Sequence, residues 1–336
     1  MAKRKPTIQE VARLAKVGIG TVSRVLNNHP SVRAETRARV EWAIEELAYT
    51  PNPHARRIAG GRSYTISVLL PVLATDFYNR LIEGIEETLA PQRYDLALFP
   101  LLSRSRLERY LDGRLLAYQA DGLLVASCDL TELFAQHRLP TERPVVLVDT
   151  WSPVYDSVYC DNSLGGALAG RYLARFPGPI TAIVIEEEID RLLGHTVFSE
   201  RLAGFQGALA ELGRPFGPEF LYVTHLSVEG GQLGLQRFLE HFGTPLNIFA
   251  GADLIARGVV EEARRQGLVV GRDVRVLGYD DHPWAQELQL SSLRQPIEEM
   301  GAQATRLLLE RIRGHAGPPR RIRFEPELVI RGSTEG

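Results

Sequence analysis

Val17-Gly18-Ile19-Gly20-Thr21-Val22-Ser23-Arg24-Val25-Leu26-Asn27 is the stretch on which the reading of this chain turns. Val22, Val25 and Leu26 recur at helical spacing and make one apolar face, while Ile19, Gly20, Ser23, Arg24 and Asn27 fall on the other. Upstream, Ile8, Val11, Ala12 and Leu14 form the inner face of a first short helix, and a tight turn over 15–18 joins the two. Two short helices across such a turn form the helix-turn-helix pattern, whose second helix suits the major groove of DNA. The outward face is small and polar, as a face that reads base edges must be. A three-helix surface subdomain without a partner shows the same pattern, so charge carries the choice. Residues 1–62 hold 12 Lys and Arg against 5 Glu and no Asp, a formal +7 in a chain whose total is −2. A basic head on an acidic body is built to neutralise phosphates, because each cation placed on one releases condensed counterions.

At 336 residues the chain suits a small head plus one large or two medium domains. Its only cysteines, Cys128 and Cys160, form no CxxC pair and no metal-spaced cluster, which argues against a disulfide framework or a zinc site. The charged start Met1-Ala2-Lys3-Arg4-Lys5-Pro6 is followed by no apolar stretch, and no run approaches the ~20 apolar residues of a membrane span. A cytoplasmic protein with no membrane partner is the expectation.

After the helix pair, 34–48 reads as a third helix, with Val40, Ile44 and Leu47 closing a small core. Pro51 and Pro53 then break it. One more short helix over 54–59 is capped by Asn52, starts on Pro53 and ends at Gly60-Gly61. So short a helix with two adjacent arginines is poor in isolation and orders only against DNA or a dimer partner. From Tyr64 short apolar runs alternate with amphipathic segments. Strands are expected over 66–70, 96–99, 122–126, 145–148, 157–160, 180–185, 220–223, 247–250 and 274–278. Helices are expected over 77–89, 104–118, 164–175, 201–212, 230–241 and 255–266. Such alternation means βαβ units and parallel sheets. The number of units exceeds one comfortable sheet, which gives an α/β class with two doubly wound halves whose strand ends face one another across a cleft.

A helix-turn-helix head, a proline-bounded hinge and two doubly wound halves, in this order, resemble the LacI family of bacterial transcription regulators. The resemblance rests on Thr7-Ile8-x-x-Val11-Ala12, Thr21 to Asn27, Thr36-Arg37 and Pro51-Asn52-x-x-Ala55-x-x-Ile58. It continues through Asp121-Gly122, Asp161-Asn162, Arg201-x-x-Gly204-Phe205, Asp253, Gly258, Gly278-Tyr279-Asp280 and Gln295-Pro296. It implies a head over 1–50 and a hinge over 51–62, followed by a two-lobed core like that of periplasmic binding proteins. The first lobe takes 63–161 plus 293–317, and the second takes 162–292 plus 318–336, with a single final strand over 322–330.

By the same resemblance Arg24 reads a base, through a bidentate bond to guanine, or else contacts a phosphate. Ile19 and Gly20 occupy the two positions that vary with operator sequence; one offers only an apolar edge and the other no side chain. Gly18 stands where the family usually has a Ser cap, which weakens that helix start. Thr7, Thr21, Ser23, Asn27 and Tyr49 set register on phosphates, and the hinge contributes Asn52, Ala55 and Arg56. Ile58 matches the family's minor-groove wedge, or packs between paired hinge helices. Two symmetric heads imply a homodimer on a palindromic operator, with a tetramer left open.

The effector side chains implied are Phe77, Tyr78, Trp151, His195, Thr196, Arg201, Asp253 and Asp280. Aromatic faces with an Arg and carboxylates suit a sugar or a nucleobase. Arg201 and Asp280 either touch the ligand or form a structural salt bridge in the cleft wall. Glu186-Glu187-Glu188-Ile189-Asp190 replaces a Gly/Pro-containing turn, and Leu226 replaces a stacking aromatic; the acid run either repels anions or is a solvated rim. Induction and corepression stay open, as does control by a phosphorylated protein corepressor. No GxGxxG at a strand-to-helix turn, GxxxxGK[ST], GxSxG or HExxH is present, so an enzyme and a cofactor are not expected. A secreted solute-binding protein would share the core but not the basic head.

Overall fold

The computed structural model describes residues 6–26, 29–49, 62–71, 75–101, 120–128, 138–186 and 196–335. The chain forms two compact units, Met1–Ser63 and Tyr64–Gly336.

In the first unit, α1 (Ile8–Leu14), α2 (Ile19–Leu26) and α3 (Ala34–Glu46) close on a small core of Val11, Ala12, Ala15, Val22, Val25, Val40, Ala43 and Tyr49. The start of α1 is fixed by a capping box. The Thr7 hydroxyl accepts from the Glu10 amide at 3.3 Å, and the Glu10 carboxylate accepts from the Thr7 amide at 2.8 Å. Lys16 turns the chain between α1 and α2 with φ at 52°. The expected inner faces match: Val22 and Val25 are buried, while Ile19, Gly20 and Arg24 are exposed.

The second unit holds two six-stranded sheets. The first runs β2 (Asp95–Pro100), β1 (Thr65–Leu70), β3 (Gly122–Ala126), β4 (Val145–Val148), β5 (Asp156–Cys160) and β11 (Arg321–Phe324) from edge to edge, all parallel. The second runs β7 (Leu221–Thr224), β6 (Ile180–Ile185), β8 (Leu246–Ala250), β9 (Val274–Asp280), β10 (Ser291–Arg294) and β12 (Glu327–Val329). Only β12 there is antiparallel. Central strands such as β3, β4, β6 and β8 are buried throughout, as strands covered on both faces must be, and the edge strands β2 and β7 are half exposed. In each sheet the strand order reverses beside the first strand, between β1 and β3 and between β6 and β8. Ligands of such sheets bind outside the carboxyl ends at that reversal.

Helices α4 (Asp76–Leu89) and α9 (Ile297–Ile312) cover one face of the first sheet, with Leu81, Ile85, Met300, Ala304 and Leu308 packed on Ile66, Val68 and Val146. The second sheet is covered by α5 (Asn162–Leu173) and α6 (Val197–Glu211) on one face and by α7 (Val228–Phe242) and α8 (Asp253–Arg265) on the other. Side-chain caps start several of these helices, with Thr75 on α4, Asp161 on α5 and Ser227 on α7. The α5–α6 pair packs backbone to backbone, because a methyl group at Gly166 would overlap the Arg201 carbonyl oxygen and one at Gly204 would overlap that of Ser163.

Three sequence expectations are corrected here. The single last strand expected over 322–330 is two strands, since Pro326 lacks the N–H that a continuous ladder needs. The first, β11, joins the first sheet beside β5, so 318–336 does not belong wholly to the second lobe. The unexpected β10 keeps the chain in the second sheet through Arg294, two residues past the expected boundary. Among the described residues the chain crosses between lobes at 161, at 295–296 and at 325–326. The expected helix over 104–118 and the short helix over 54–59 lie outside the described residues. No helix among the described residues is long and apolar enough to cross a membrane.

One anchor outside the cleft carries a pH signature. Asp156, 3% exposed at the start of β5, accepts from Arg311 Nε at 2.9 Å and Nη2 at 2.8 Å, and from the Arg320 amide at 2.7 Å. Burial alone raises this carboxyl, but the bonds from Arg311 and Arg320 outweigh burial and hold it below the usual carboxylate range. A carboxyl whose folded-state pKa is depressed contributes stability above its unfolded pKa and loses it as pH falls through the folded value. Urea melts between pH 6 and pH 3 are expected to show a steeper acid loss of stability for the parent chain than for Asp156→Asn. Parallel pH profiles would contradict this.

Candidate functional site

The head presents α2 as a short helix with one face free. Ile19 is 47% exposed at its start, Gly20 adds no side chain, and no atom lies within 4 Å of where a Gly20 Cβ would stand. Arg24 is exposed and its Nε donates to the Gly20 carbonyl at 3.2 Å, so the guanidinium lies back along the helix. Thr21 and Ser23 flank it, half buried. Thr7 and Tyr49 have structural roles as well: Thr7 caps α1, and the Tyr49 ring belongs to the head core. Asn27, Asn52, Ala55, Arg56 and Ile58 lie outside the described residues.

In the second unit the carboxyl ends of both sheets converge on Arg201. This side chain, 3% exposed on α6, donates from Nε to Asn162 Oδ1 at 2.9 Å and from Nη1 to the Gly251 carbonyl at 2.7 Å. Nη2 reaches Asp280 Oδ1 at 3.4 Å, and the guanidinium lies 3.6 Å from the centre of the Tyr279 ring. All three nitrogens and one face are therefore engaged by the protein, and desolvation makes each contact count. Asp280 is anchored in turn by Gln295, whose Nε2 donates to Oδ1 at 2.6 Å. Its φ of 108° and the 50° of Asp281 place the end of β9 in left-handed backbone.

A cavity of about 220 Å³ opens beside this cluster, lined by Asp149, Thr150, Trp151, Tyr159, Asn162 and Glu200, with Cys160 and Thr196. At ~30 Å³ per water in the liquid, that volume corresponds to on the order of seven waters, the scale of a small metabolite. Trp151, 44% exposed, forms a flat wall; its ring carries the Arg321 guanidinium at 4.4 Å. Asp149, at a φ of 61°, accepts from the Ser127 hydroxyl at 2.5 Å. Thr196 donates to Glu200 at 3.0 Å. Burial pushes the Cys160 thiol up to about 12, so it remains a neutral lining group.

The structure thus gathers Trp151, Thr196, Arg201 and Asp280, and sets Phe77 and Tyr78 apart from the cavity wall. Tyr78 is 7% exposed in the first-lobe core, and Phe77 meets it edge-on at 5.2 Å. Asp253 is fully buried at the start of α8, where Ser292 and the His282 amide donate to it. Burial first, and then the charge of Asp280, lift its carboxyl well above the usual range. His195 lies outside the described residues. Sequence reasoning missed Tyr159 and Glu200, and Asn162 entered only as part of the Asp161-Asn162 motif.

It also missed a contact between the lobes. Arg80 of α4 donates to the Asp280 and Asp281 carbonyls at 3.1 and 3.3 Å while its other nitrogens hold Glu298 at 2.6 and 3.0 Å. Nearby, Trp284 Nε1 donates to Asp76 at 2.7 Å. The residue that meets Arg201 with its side chain therefore meets the first lobe with its main chain.

Comparison with known proteins agrees with both halves of this description. A family model described as bacterial regulatory proteins, lacI family, matches residues 7–52, and a periplasmic binding protein-like domain matches 192–334. The chain is 31% identical to the ribose operon repressor of Haemophilus influenzae, over 97% of this chain and 98% of that protein. It is 32% identical to the HTH-type transcriptional repressor CytR of Escherichia coli, over 98% of this chain and 96% of that one. Among solved structures, a probable transcription regulator from Thermus thermophilus shares 61% identity with a TM-score of 0.70, covering 80% of this chain and 97% of that chain. With a helix-turn-helix head and a two-sheet core matched along nearly its whole length, this chain belongs to the lacI family of bacterial regulatory proteins.

Proposed function

We propose that the chain is a transcriptional repressor that binds a palindromic operator as a homodimer. A sugar or related small metabolite in the cleft between the lobes controls it. The observation that carries the effector half is the Arg201 cluster: a buried guanidinium, fixed by Asn162, Gly251, Asp280 and Tyr279, beside a cavity with an exposed tryptophan wall. A ring with hydroxyls stacks on Trp151 and bonds to Asp149, Thr196 and Glu200. The ribose operon repressor and CytR, both matched over nearly their full length, support the repressor half.

On the DNA side α2 enters the major groove, and Arg24 swings from its contact on Gly20 to a guanine edge. Arg24→Ala is expected to reduce discrimination between the selected site and a variant lacking that guanine by roughly 1–3 kcal/mol. Fluorescence anisotropy on the two duplexes measures it. Equal loss on both would assign Arg24 to a phosphate instead.

Ligand binding reaches the head through the relative placement of the lobes, with Arg80 tying the Asp280 main chain to α4. By linkage, any ligand that weakens operator binding binds less tightly to the operator complex, and by the same factor. Titrating the ligand into free protein and into the protein–operator complex tests this and gives the sign, induction or corepression. Identical affinities would reject control by that ligand.

A further inference from the structure

One buried titratable group stands in the contact between the lobes. His282 occupies the N-cap position of the short helix Pro283–Glu287, is 5% exposed, and donates from its amide to Asp253 at 2.8 Å. Its ring is poorly matched. Nδ1 is buried with no hydrogen-bond partner among the described residues, and Nε2 stops 3.7 Å from Asp280 Oδ2, beyond hydrogen-bond distance. Around this ring run the bonds that join the lobes. Arg80 donates to the Asp280 and Asp281 carbonyls, and Trp284, whose ring lies 5.8 Å from the imidazole, donates to Asp76 at 2.7 Å.

The charges that face the ring come from both lobes, and each carboxyl already holds a donor. In the second lobe Asp280 holds Arg201 and Gln295, Asp281 holds Arg294 and Arg331, and the Asp253 carboxyl accepts from Ser292. In the first lobe Glu298 of α9 holds Arg80, and Asp76 accepts from the Trp284 indole. We propose that His282 makes the contact between the lobes responsive to pH: the lobes hold together around a neutral imidazole and part when it is protonated. An imidazolium needs hydration or an anion of its own, and the buried ring has neither within hydrogen-bond distance. Burial is the largest influence and weakens the hold of the ring on a proton; Asp280, Asp76 and Asp281 act the other way, and Arg80 adds to burial. With the lobes joined, the ring therefore titrates below the ordinary 6.5 of a histidine, and it returns toward that value where the lobes part and water reaches it. The joined arrangement is fully favoured above the ordinary value. Each pH unit below it shifts the balance toward parting by at most ~10-fold, until the lower value is passed.

The test labels the full chain with nitrogen-15 tryptophan and follows its three indole N–H signals by NMR between pH 8 and pH 5 at constant ionic strength. The signal that Trp284→Phe removes belongs to the bond across the lobes, and Asp76→Ala at pH 8 gives the position of the released indole. Far-ultraviolet circular dichroism at each pH shows that the chain stays folded. The expected result is that the Trp284 signal moves toward the released position as pH falls below ~6.5, in a transition of about one proton. In His282→Gln, neutral at every pH, it is expected to keep its pH 8 position, and the melting midpoint at pH 8 shows whether this variant folds as the parent does. A parent signal that stays in place down to pH 5 overturns the proposal whatever the variant does. So does one that moves away from the released position, which assigns the change to the ring alone, and one that moves equally in His282→Gln, which assigns it to the carboxylates.

Discussion

Replacing Arg201 by alanine is expected to lower stability by about 3–5 kcal/mol and to abolish ligand binding together with it. The size follows from what is left behind. Asp280 stays buried, at 5% exposure, with its charge no longer matched; Asn162 Oδ1 and the Gly251 carbonyl lose their donors; and the Tyr279 ring loses the guanidinium stacked on it. Removing one partner of a buried pair costs far more than the pair contributes net, because the survivor is desolvated without compensation. Arg201→Lys separates charge from geometry. A single ammonium cannot reach three acceptors set around a planar fork, so the lysine variant is expected to recover part of the stability and little of the binding. Urea denaturation followed by tryptophan fluorescence measures the first, and calorimetry the second. A full-strength melt for the alanine variant would mean that water or a neighbour takes over all three acceptors.

The second large effect is expected from a single methyl group. Gly166 faces the carbonyl of Arg201 across the α5–α6 contact, and an added Cβ overlaps that oxygen. Backbone cannot turn aside as a side chain can, so Gly166→Ala must push α6 away or deform it. A cost at or above the upper end of the ~1–3 kcal/mol range for overpacking follows. Because α6 carries both Arg201 and Glu200, the displaced helix also misplaces the cavity wall. The expected signature is a lowered denaturation midpoint together with weakened ligand binding. Gly207→Ala, on α6 with nothing within 4 Å of its Cβ position, is the control and is expected to be neutral or slightly stabilising.

What the sequence showed and what it hid divide along the range of the interactions. β3, β4 and β6 were legible to the residue because they are short apolar runs buried on both faces, a signal contained in the strand itself. The head was legible because two short helical periods and a local charge excess lie within one stretch. β10 was not, since Ser291 and Ser292 are polar in sequence and become core only through bonds to Thr334 and Asp253, 43 and 39 residues away. Pro326, which divides the last strand in two, was visible in the sequence, but its consequence depends on which sheet each side joins.

The site follows the same rule. Arg201 and Asp280 were found through a resemblance, 79 residues apart, and lie in contact. Tyr279 beneath the guanidinium was within reach, as the neighbour of Asp280 in that motif. Arg80 was not: its acceptors on Asp280 and Asp281 lie 200 and 201 residues away and are main-chain carbonyls, which no residue type advertises. Phe77 and Tyr78 show the opposite case, aromatic residues near a strand end of which Tyr78 is buried in the core of its own lobe and Phe77 packs half-buried against it.

The central claim is that the head reads a two-fold symmetric DNA site through α2. Selection from a randomised duplex library with the full-length chain, followed by anisotropy on the enriched sequence, tests it most directly. The account predicts enrichment of a palindrome with a G·C pair at equivalent positions of both half-sites, and loss of that preference in Arg24→Ala. Enrichment of no sequence, or of a single asymmetric site bound equally well by Arg24→Ala, would contradict it.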